Sequence, residues 1–359
     1  MKNYGETNFI TGMRAFAAMA IVLIHSGGGG LRSLGTTASE FVDFCPQGVS
    51  VFFVISGFSV AVSFYSSQSY FHYLNKRIWR IAPLYYFWIA ATILLGFVAQ
   101  SKSESFNAPP DFWNILAHLT FLSSFNYRYA DSIIGVEWSI AVEVFWYFLL
   151  PLMLLASRFM GIPLLAGAYY LYSYLDQHTT SLPVDPDYAA YAMNYLPFKY
   201  VLSYALGISA FEVRKHIKHN GLMGDLAFVF CLLVILVYVP FRRHFPIDLQ
   251  DKYVFSSLLA FTAIVFGSAE SRLFRWFFEN RAAQFLGMIS YGLYLCHFPI
   301  IRMLGNSGIA VNETAHFLIV SGTSIIVAWA TYILIEVPAN RVVGPRFFSA
   351  FSQKDKLPA

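Results

Sequence analysis

The stretch Phe9–Gly30 reads FITGMRAFAAMAIVLIHSGGGG, a long apolar run with Arg14 and His25 in its interior. A run of about 20 apolar residues crosses the hydrocarbon core of a bilayer as one helix. At about 100° and 1.5 Å per residue, Arg14 and His25 share one helix face, about 16 Å apart along the axis. Ionisable side chains at membrane depth are costly, so the pair predicts a functional site. The structural alternatives are that Arg14 reaches the headgroups and that His25 bonds to a neighbouring helix.

The composition of the whole chain extends this interpretation. Hydrophobic residues make up 57% of the 359 residues and charged residues only 12%, which excludes an ordinary soluble domain. The first run has no small-x-small cleavage pattern and similar runs follow it, so it is not a signal peptide. The basic residues are scattered over loops, which predicts no nucleic-acid partner. Three cysteines, Cys45, Cys231 and Cys296, show neither a disulfide framework nor metal-ligand spacing, so no metal is expected.

The apolar runs predict an all-α, polytopic transmembrane bundle that forms a single integral membrane domain over residues 1–359. The bundle has about ten spans, at about 9–27, 47–67, 79–99, 137–157, 161–175, 195–213, 222–240, 253–268, 283–304 and 314–336.

Lys and Arg counts set the predicted topology. With both termini in the cytoplasm, the inner segments carry more than twice as many basic residues as the outer segments, as the positive-inside rule requires. Treating 112–125 as a further crossing would move Arg214, Lys215 and Lys218 outside. Residues 100–136 are therefore predicted to be an outer excursion, in which 112–125 is either re-entrant or on the outer surface. Arg242 and Arg243 are the exception, since they fall on the outer side.

Two motifs lie within or next to early spans. Ser56-Gly57 in the second span suits close helix packing or a backbone that approaches a ligand. Arg77 and Arg80 lie three residues apart, hence on one face of a helix, at the predicted inner end of the third span. Two guanidinium groups side by side would clamp phosphates. A basic inner flank is the alternative for this segment.

The predicted outer half of the membrane carries a second set of residues. Glu143 and Tyr147 share one face of the fourth span, and His297 lies in the ninth span, at a depth comparable with that of His25. Glu336 ends the tenth span on the inner side, where an arginine could pair with it. A phosphate-bearing donor held from the cytoplasm, with acid–base chemistry near the far side, fits this division of charges. Acyl-coenzyme A, a phosphate-bearing head on a long arm, has a suitable shape.

These motifs resemble those of the acyltransferase-3 family, integral membrane enzymes that O-acylate surface polysaccharides and lipopolysaccharide O-antigen. The family motif of a basic residue, ten further residues and a histidine falls on Arg14 and His25. The motif Arg-x-x-Arg falls on Arg77 and Arg80. Three further motifs fall on Phe52–Phe58, on Trp138, Ser139 and Glu143, and on Ser290–His297. The similarity extends from about Phe9 to Arg341 and covers nearly the whole chain.

The resemblance implies an O-acyltransferase of the bacterial inner membrane, with acetyl-coenzyme A as donor substrate and no separate cofactor. Its acceptor would be a glycan or lipid-linked sugar, surrounded by membrane lipids. Arg14, Arg77 and Arg80 would hold the donor, while His25 would act as general base, with Glu143 orienting it or compensating its charge. Acceptor-side or structural roles are expected for five further residues: Trp138, Ser139, Tyr147, Tyr291 and His297.

Some longer family members carry a fused extracytoplasmic esterase-like domain, which is not expected in these 359 residues. This leaves open whether a separate extracytoplasmic partner protein completes the transfer. Two alternatives for the function also stay open: a succinyl or longer acyl group on the same fold, and a glycan or small-molecule transporter that uses the same charges as a relay. The sequence does not name the glycan, the hydroxyl, the acyl chain or the oligomeric state. Nor does it separate direct transfer from an acyl-histidine intermediate.

Overall fold

The computed structural model describes residues 7–98, 108–159, 161–179, 184, 186–246, 250–308 and 310–342, and every regular element in these ranges is a helix. The predicted cytoplasmic ends, residues 1–6 and 343–359, lie outside the described residues, as does the 99–107 part of the outer excursion. The α-helices are α1 Phe9–His25, α2 Thr36–Phe44, α3 Gly48–Tyr65, α4 Tyr70–Leu94, α5 Phe112–Leu119, α6 Trp138–Ala156, α7 Ile162–Gln177, α8 Pro186–Met193, α9 Val201–Arg214, α10 Gly221–Phe241, α11 Lys252–Phe266, α12 Arg272–Phe278, α13 Arg281–Met288, α14 Ser290–Asn306, α15 Glu313–Thr331 and α16 Val337–Val342. Short 3₁₀-helices cover Leu31–Leu34, Cys45–Gln47, Ser123–Phe125, Pro197–Tyr200 and Arg242–His244, and a π-helix covers Tyr332–Glu336.

Only some of these helices could cross a membrane unaided. Within the described ranges, four stretches are long and apolar enough: Thr36–Tyr65, Trp138–Ala156, Gly221–His244 and Glu313–Arg341. A fifth is added if α13 and α14, which meet at 69°, form one bent span. The structure thus confirms the predicted all-helical fold. It has four or five candidate spans, and the count of about ten stays a prediction. Several other predicted spans are short or polar, since α9 has 14 residues and α4 carries Lys76, Arg77 and Arg80.

Glycines allow the central helices to approach closely. A Cβ atom at Gly57 of α3 would collide with the carbonyl oxygen of Tyr204 in α9. A Cβ atom at Gly12 of α1 would collide with the carbonyl oxygen of Phe278 in α12, and one at Gly287 of α13 would collide with that of Thr11 in α1. Small residues at helix crossings permit such contacts in membrane bundles. Gly57 therefore serves helix packing, the first of its two predicted roles.

In the described part of the excursion between α4 and α6, α5 is the one α-helix. The 8-residue α5 is about 12 Å long, less than half of the hydrocarbon thickness, so it is too short to cross. His118 of α5 lies within 3.3 Å of the Glu137 carboxylate just before α6, and both side chains are fully buried. This contact fixes α5 against the beginning of α6.

The basic pair after α10 shares one carboxylate partner within the fold. Glu40 of α2 forms ion pairs with Arg242 at 2.9 Å and with Arg243 at 2.7 Å. These ion pairs hold the loop after α10 against α2, and Arg242 and Arg243 stay the exception in the predicted charge distribution.

Candidate active site

The three arginines singled out in the sequence meet at one cavity. Arg14 from α1 and Arg77 and Arg80 from α4 line a space of about 100 Å³ together with Glu143 from α6. Residues far apart in sequence therefore concentrate positive charge on one small volume. We call this space the arginine cavity.

The arginines differ in their surroundings, although Arg77 and Arg80 share a helix face. Arg77 is buried and its guanidinium donates to the backbone carbonyl of Ser59 in α3, while Arg14 donates to the Ser59 hydroxyl at 3.1 Å. Arg80 is exposed. Arg77 thus serves the packing of α4 on α3 as well as the cavity, and Arg80 is the more accessible of the pair.

A second space of about 510 Å³ adjoins the arginine cavity. The two share Arg14, Arg80, Ser290 and Tyr291 in their walls, and the second is also lined by Glu336 and Asn340. We call it the mouth cavity. Arg14 and Arg80 are therefore in the walls of both cavities, and the mouth cavity lies beside Glu336, at the end of the last predicted span.

Glu143 faces the arginine cavity and is held by two hydroxyl groups. Its Oε1 atom accepts hydrogen bonds from Ser56 and from Tyr147, each at 2.5 Å. Tyr204 donates in turn to the Ser56 hydroxyl at 3.2 Å. The carboxylate therefore belongs to a hydroxyl network between α3, α6 and α9.

The structure gives His25 a different partner from the predicted Glu143. His25 Nδ1 lies 2.9 Å from His297 Nε2, the two rings are parallel within 5°, and Phe298 packs 4.6 Å from the His25 ring centroid. The prediction that Glu143 orients His25 is replaced by this contact. The reason is tertiary: the end of α1 packs on α14, whereas Glu143 on α6 faces α3.

The remaining predicted residues differ in whether they face the arginine cavity. Ser139 lines the arginine cavity and bonds to the hydroxyl of Tyr294 at 2.7 Å, and the Tyr291 hydroxyl donates to the Ile81 carbonyl at 2.9 Å. Trp138 packs instead among aromatic rings, 5.3 Å from the ring of Tyr200. Tyr294 lines the arginine cavity, and its ring centroid lies 6.0 Å from that of His297.

A polar cluster lies between the excursion and α8. The Asp131 carboxylate accepts hydrogen bonds from Tyr195 at 2.7 Å and from Tyr191 at 3.1 Å, and the rings of Tyr127 and Tyr188 stack nearby. Burial raises the pKa of the Asp131 carboxyl above its ordinary value, against the opposing effect of the Tyr195 hydroxyl. This cluster joins two of the predicted outer segments.

Sequence reasoning missed Ser59 and the wall position of Tyr294. Ser59 is three residues after Ser56 on the same face of α3, a signal that a search for small polar residues at helical spacing would find. Of the residues that the structure describes, no three His, Cys, Asp or Glu side chains are grouped to hold a metal ion.

Comparison with known proteins assigns the family. A family model described as an acyltransferase domain matches residues 7–333, which is most of the chain. The chain belongs to the acyltransferase-3 family. The resemblance inferred from the five motifs is thereby confirmed.

Relatives at low identity carry acyltransferase names. A candidate acetyltransferase of Acidianus two-tailed virus is 24% identical over 88% of this chain and 89% of its own length. The candidate peptidoglycan O-acetyltransferase YrhL of Bacillus subtilis is 24% identical over 95% of this chain, and the peptidoglycan O-acetyltransferase OatA of Listeria monocytogenes is 21% identical over 96%. The chain spans 56% and 58% of the lengths of these two bacterial relatives. No solved structure matches the chain. Family and relatives together support the prediction of an O-acyltransferase.

Proposed function

We propose that this protein transfers an acyl group, acetyl in the first instance, from cytoplasmic acyl-coenzyme A to a hydroxyl of an extracytoplasmic glycan. The observation that carries the proposal is the convergence of Arg14, Arg77 and Arg80 on one cavity, with the His25–His297 pair near the opposite end of α1. Guanidinium groups bind phosphates through charge-assisted hydrogen bonds. The relatives named as peptidoglycan O-acetyltransferases support a surface glycan as acceptor.

The donor would approach through the mouth cavity, with its phosphates near Arg80 and Arg14 and its arm directed along α1. A ring nitrogen of His25 would take the proton of the acceptor hydroxyl while the oxygen attacks the thioester carbonyl carbon. The carbon–sulfur bond then breaks, and the thiol leaves with the proton that His25 held. Positioned acid–base groups contribute about 10²–10⁴-fold to such reactions.

Donor binding tests the arginine cavity. Arg80→Ala is expected to weaken acetyl-coenzyme A binding by about 1.5–3 kcal/mol, since a hydrogen bond to a charged phosphate is lost. Arg80→Lys should restore only part of this, because lysine lacks the bidentate fork. Arg77→Ala should lower both donor affinity and folding stability, because Arg77 also holds the Ser59 carbonyl. Calorimetry on purified protein in lipid discs measures the affinities.

Lys76→Ala is the matched control, because it removes the same charge from an exposed neighbour on α4 that does not line the cavity. Comparing acetyl-coenzyme A with an analogue that lacks the 3′-phosphate makes the test specific. If Arg80 contacts that phosphate, the losses of affinity from replacing Arg80 and from removing the phosphate are not additive. Equal affinities for Arg80→Ala and Lys76→Ala would contradict the donor role of the arginine cavity.

The proposal also places the protein as a multi-pass protein in the bacterial inner membrane, with both termini in the cytoplasm. In a variant without native cysteines, Arg128→Cys should be labelled from outside and Lys218→Cys only after the membrane is opened. Both positions are exposed in the fold, so the two sites differ in membrane side rather than in burial. The reverse labelling pattern would refute the predicted topology.

A further inference from the structure

The contact between His25 and His297 indicates which ring nitrogens carry protons. His297 is fully buried, and its Nδ1 atom lies 3.3 Å from the carbonyl oxygen of Leu293, one turn earlier in α14. Its Nε2 atom lies 2.9 Å from Nδ1 of His25. His297 therefore has one partner at each ring nitrogen.

The chemistry of these partners assigns the tautomers. A carbonyl oxygen only accepts hydrogen bonds, so Nδ1 of His297 carries a proton. In a neutral imidazole the other nitrogen is then an acceptor, and burial disfavours a charged ring. The Nε2 atom of His297 therefore accepts, and Nδ1–H of His25 donates. This leaves Nε2 of His25 without a proton.

We propose that His297 is a positioning residue that holds His25 in the Nδ1–H tautomer and so directs its basic Nε2 atom away from α14. The use of that atom as the general base rests on the proposed function, but the tautomer does not. The proposal corrects the predicted arrangement, in which the Glu143 carboxylate would orient the base. A ring nitrogen that is fixed by the bond of the other nitrogen is the usual way in which proteins set a histidine tautomer.

A neutral orienting group suits this position. A buried carboxylate beside His25 would have no charged partner while His25 is neutral, which is costly. Neutral His297 places no permanent charge beside the base. When His25 takes a proton, its Nδ1–H bond to His297 becomes charge-assisted and stronger. The pair thus stabilises the protonated base where it forms. The hydrogen bond between the parallel rings and the packing of Phe298 restrict rotation of His25, which keeps Nε2 in one direction.

Solid-state ¹⁵N NMR of the histidine-labelled protein in lipid bilayers tests the tautomer directly. His25→Gln identifies the His25 signals by their loss. In the unaltered protein, His25 should be protonated at Nδ1 and not at Nε2. His297→Gln, whose amide oxygen is able to accept the same bond, should keep this tautomer, and His297→Leu should lose it.

Activity provides the second readout. His297→Leu is expected to lower kcat by about 10²–10⁴-fold, the range of a positioned base, with donor Kd unchanged. His297→Gln should recover most of that loss. Cys296→Ala, at an adjacent and equally buried position, controls for repacking of α14. A merely structural His297 would instead change the unfolding temperature and leave the kcat of folded protein intact.

The outcomes separate this proposal from the proposed function. An Nε2–H signal for His25 in the unaltered protein overturns the proposal, whatever the activities are. An Nδ1–H signal together with full activity in His25→Gln would leave the tautomer standing and refute the role of His25 as base. Equal kcat values for His297→Leu and His297→Gln would remove the positioning role.

Discussion

Replacing His25 with alanine is expected to abolish acyl transfer, a loss of at least about 10²–10⁴-fold, because the group that takes the acceptor proton is removed. Donor binding should be nearly unchanged, since His25 lies about 16 Å along α1 from Arg14 by helix rise. Glycan acylation in cells, normalised to folded protein, and donor affinity of the purified variant are the two measurements. A well-folded His25→Ala protein with substantial transfer would refute the mechanism.

Two further variants sharpen this experiment. His178→Ala removes an exposed histidine and should leave transfer unchanged. Glu143→Gln should reduce turnover less than His25→Ala, because the amide keeps one oxygen acceptor for Ser56 and Tyr147. Loss of transfer in His25→Ala only in parallel with loss of folded protein would indicate a structural role for His25 in the packing of α1 on α14.

Replacing Glu137 with alanine is expected to destabilise the protein by about 3–5 kcal/mol, because a buried charged partner is removed. The Glu137 carboxylate accepts from the backbone N–H groups of Ile133 at 2.7 Å, Ile134 at 2.9 Å and Gly135 at 2.5 Å, as well as from His118. Glu137→Ala would therefore leave three backbone N–H groups and the buried His118 ring without their acceptor. Denaturant unfolding of purified protein measures the change.

Glu313→Ala is the control, since it removes an exposed carboxylate from the first turn of α15 and should cost less than about 1 kcal/mol. Combining Glu137→Ala with His118→Leu should cost less than the sum of the single changes, because each single change already breaks the contact between these two side chains. The affected segment leads directly into α6, which carries Ser139 and Glu143. A Glu137→Ala loss no larger than that of Glu313→Ala would contradict this account.

Apolar composition and helical spacing predict a large part of the architecture. They indicate an all-helical membrane protein and place Arg14 and His25 on one face of α1, because the period of a helix is a local property. They also select the residues of the arginine cavity, since charged side chains are rare in apolar segments and so are conspicuous. The motifs are sufficient to identify the family.

Partner choice is decided by tertiary structure. Arg77 and Arg80 share a helix face, yet only the packing of α4 on α3 buries Arg77 against Ser59 and leaves Arg80 exposed. The sequence determines the angle of a side chain around its own helix axis. It does not give the helix that this side chain will meet, which depends on crossings between distant segments. His25 therefore bonds to His297, 272 residues away, while Glu143 turns towards Ser56 and Tyr147.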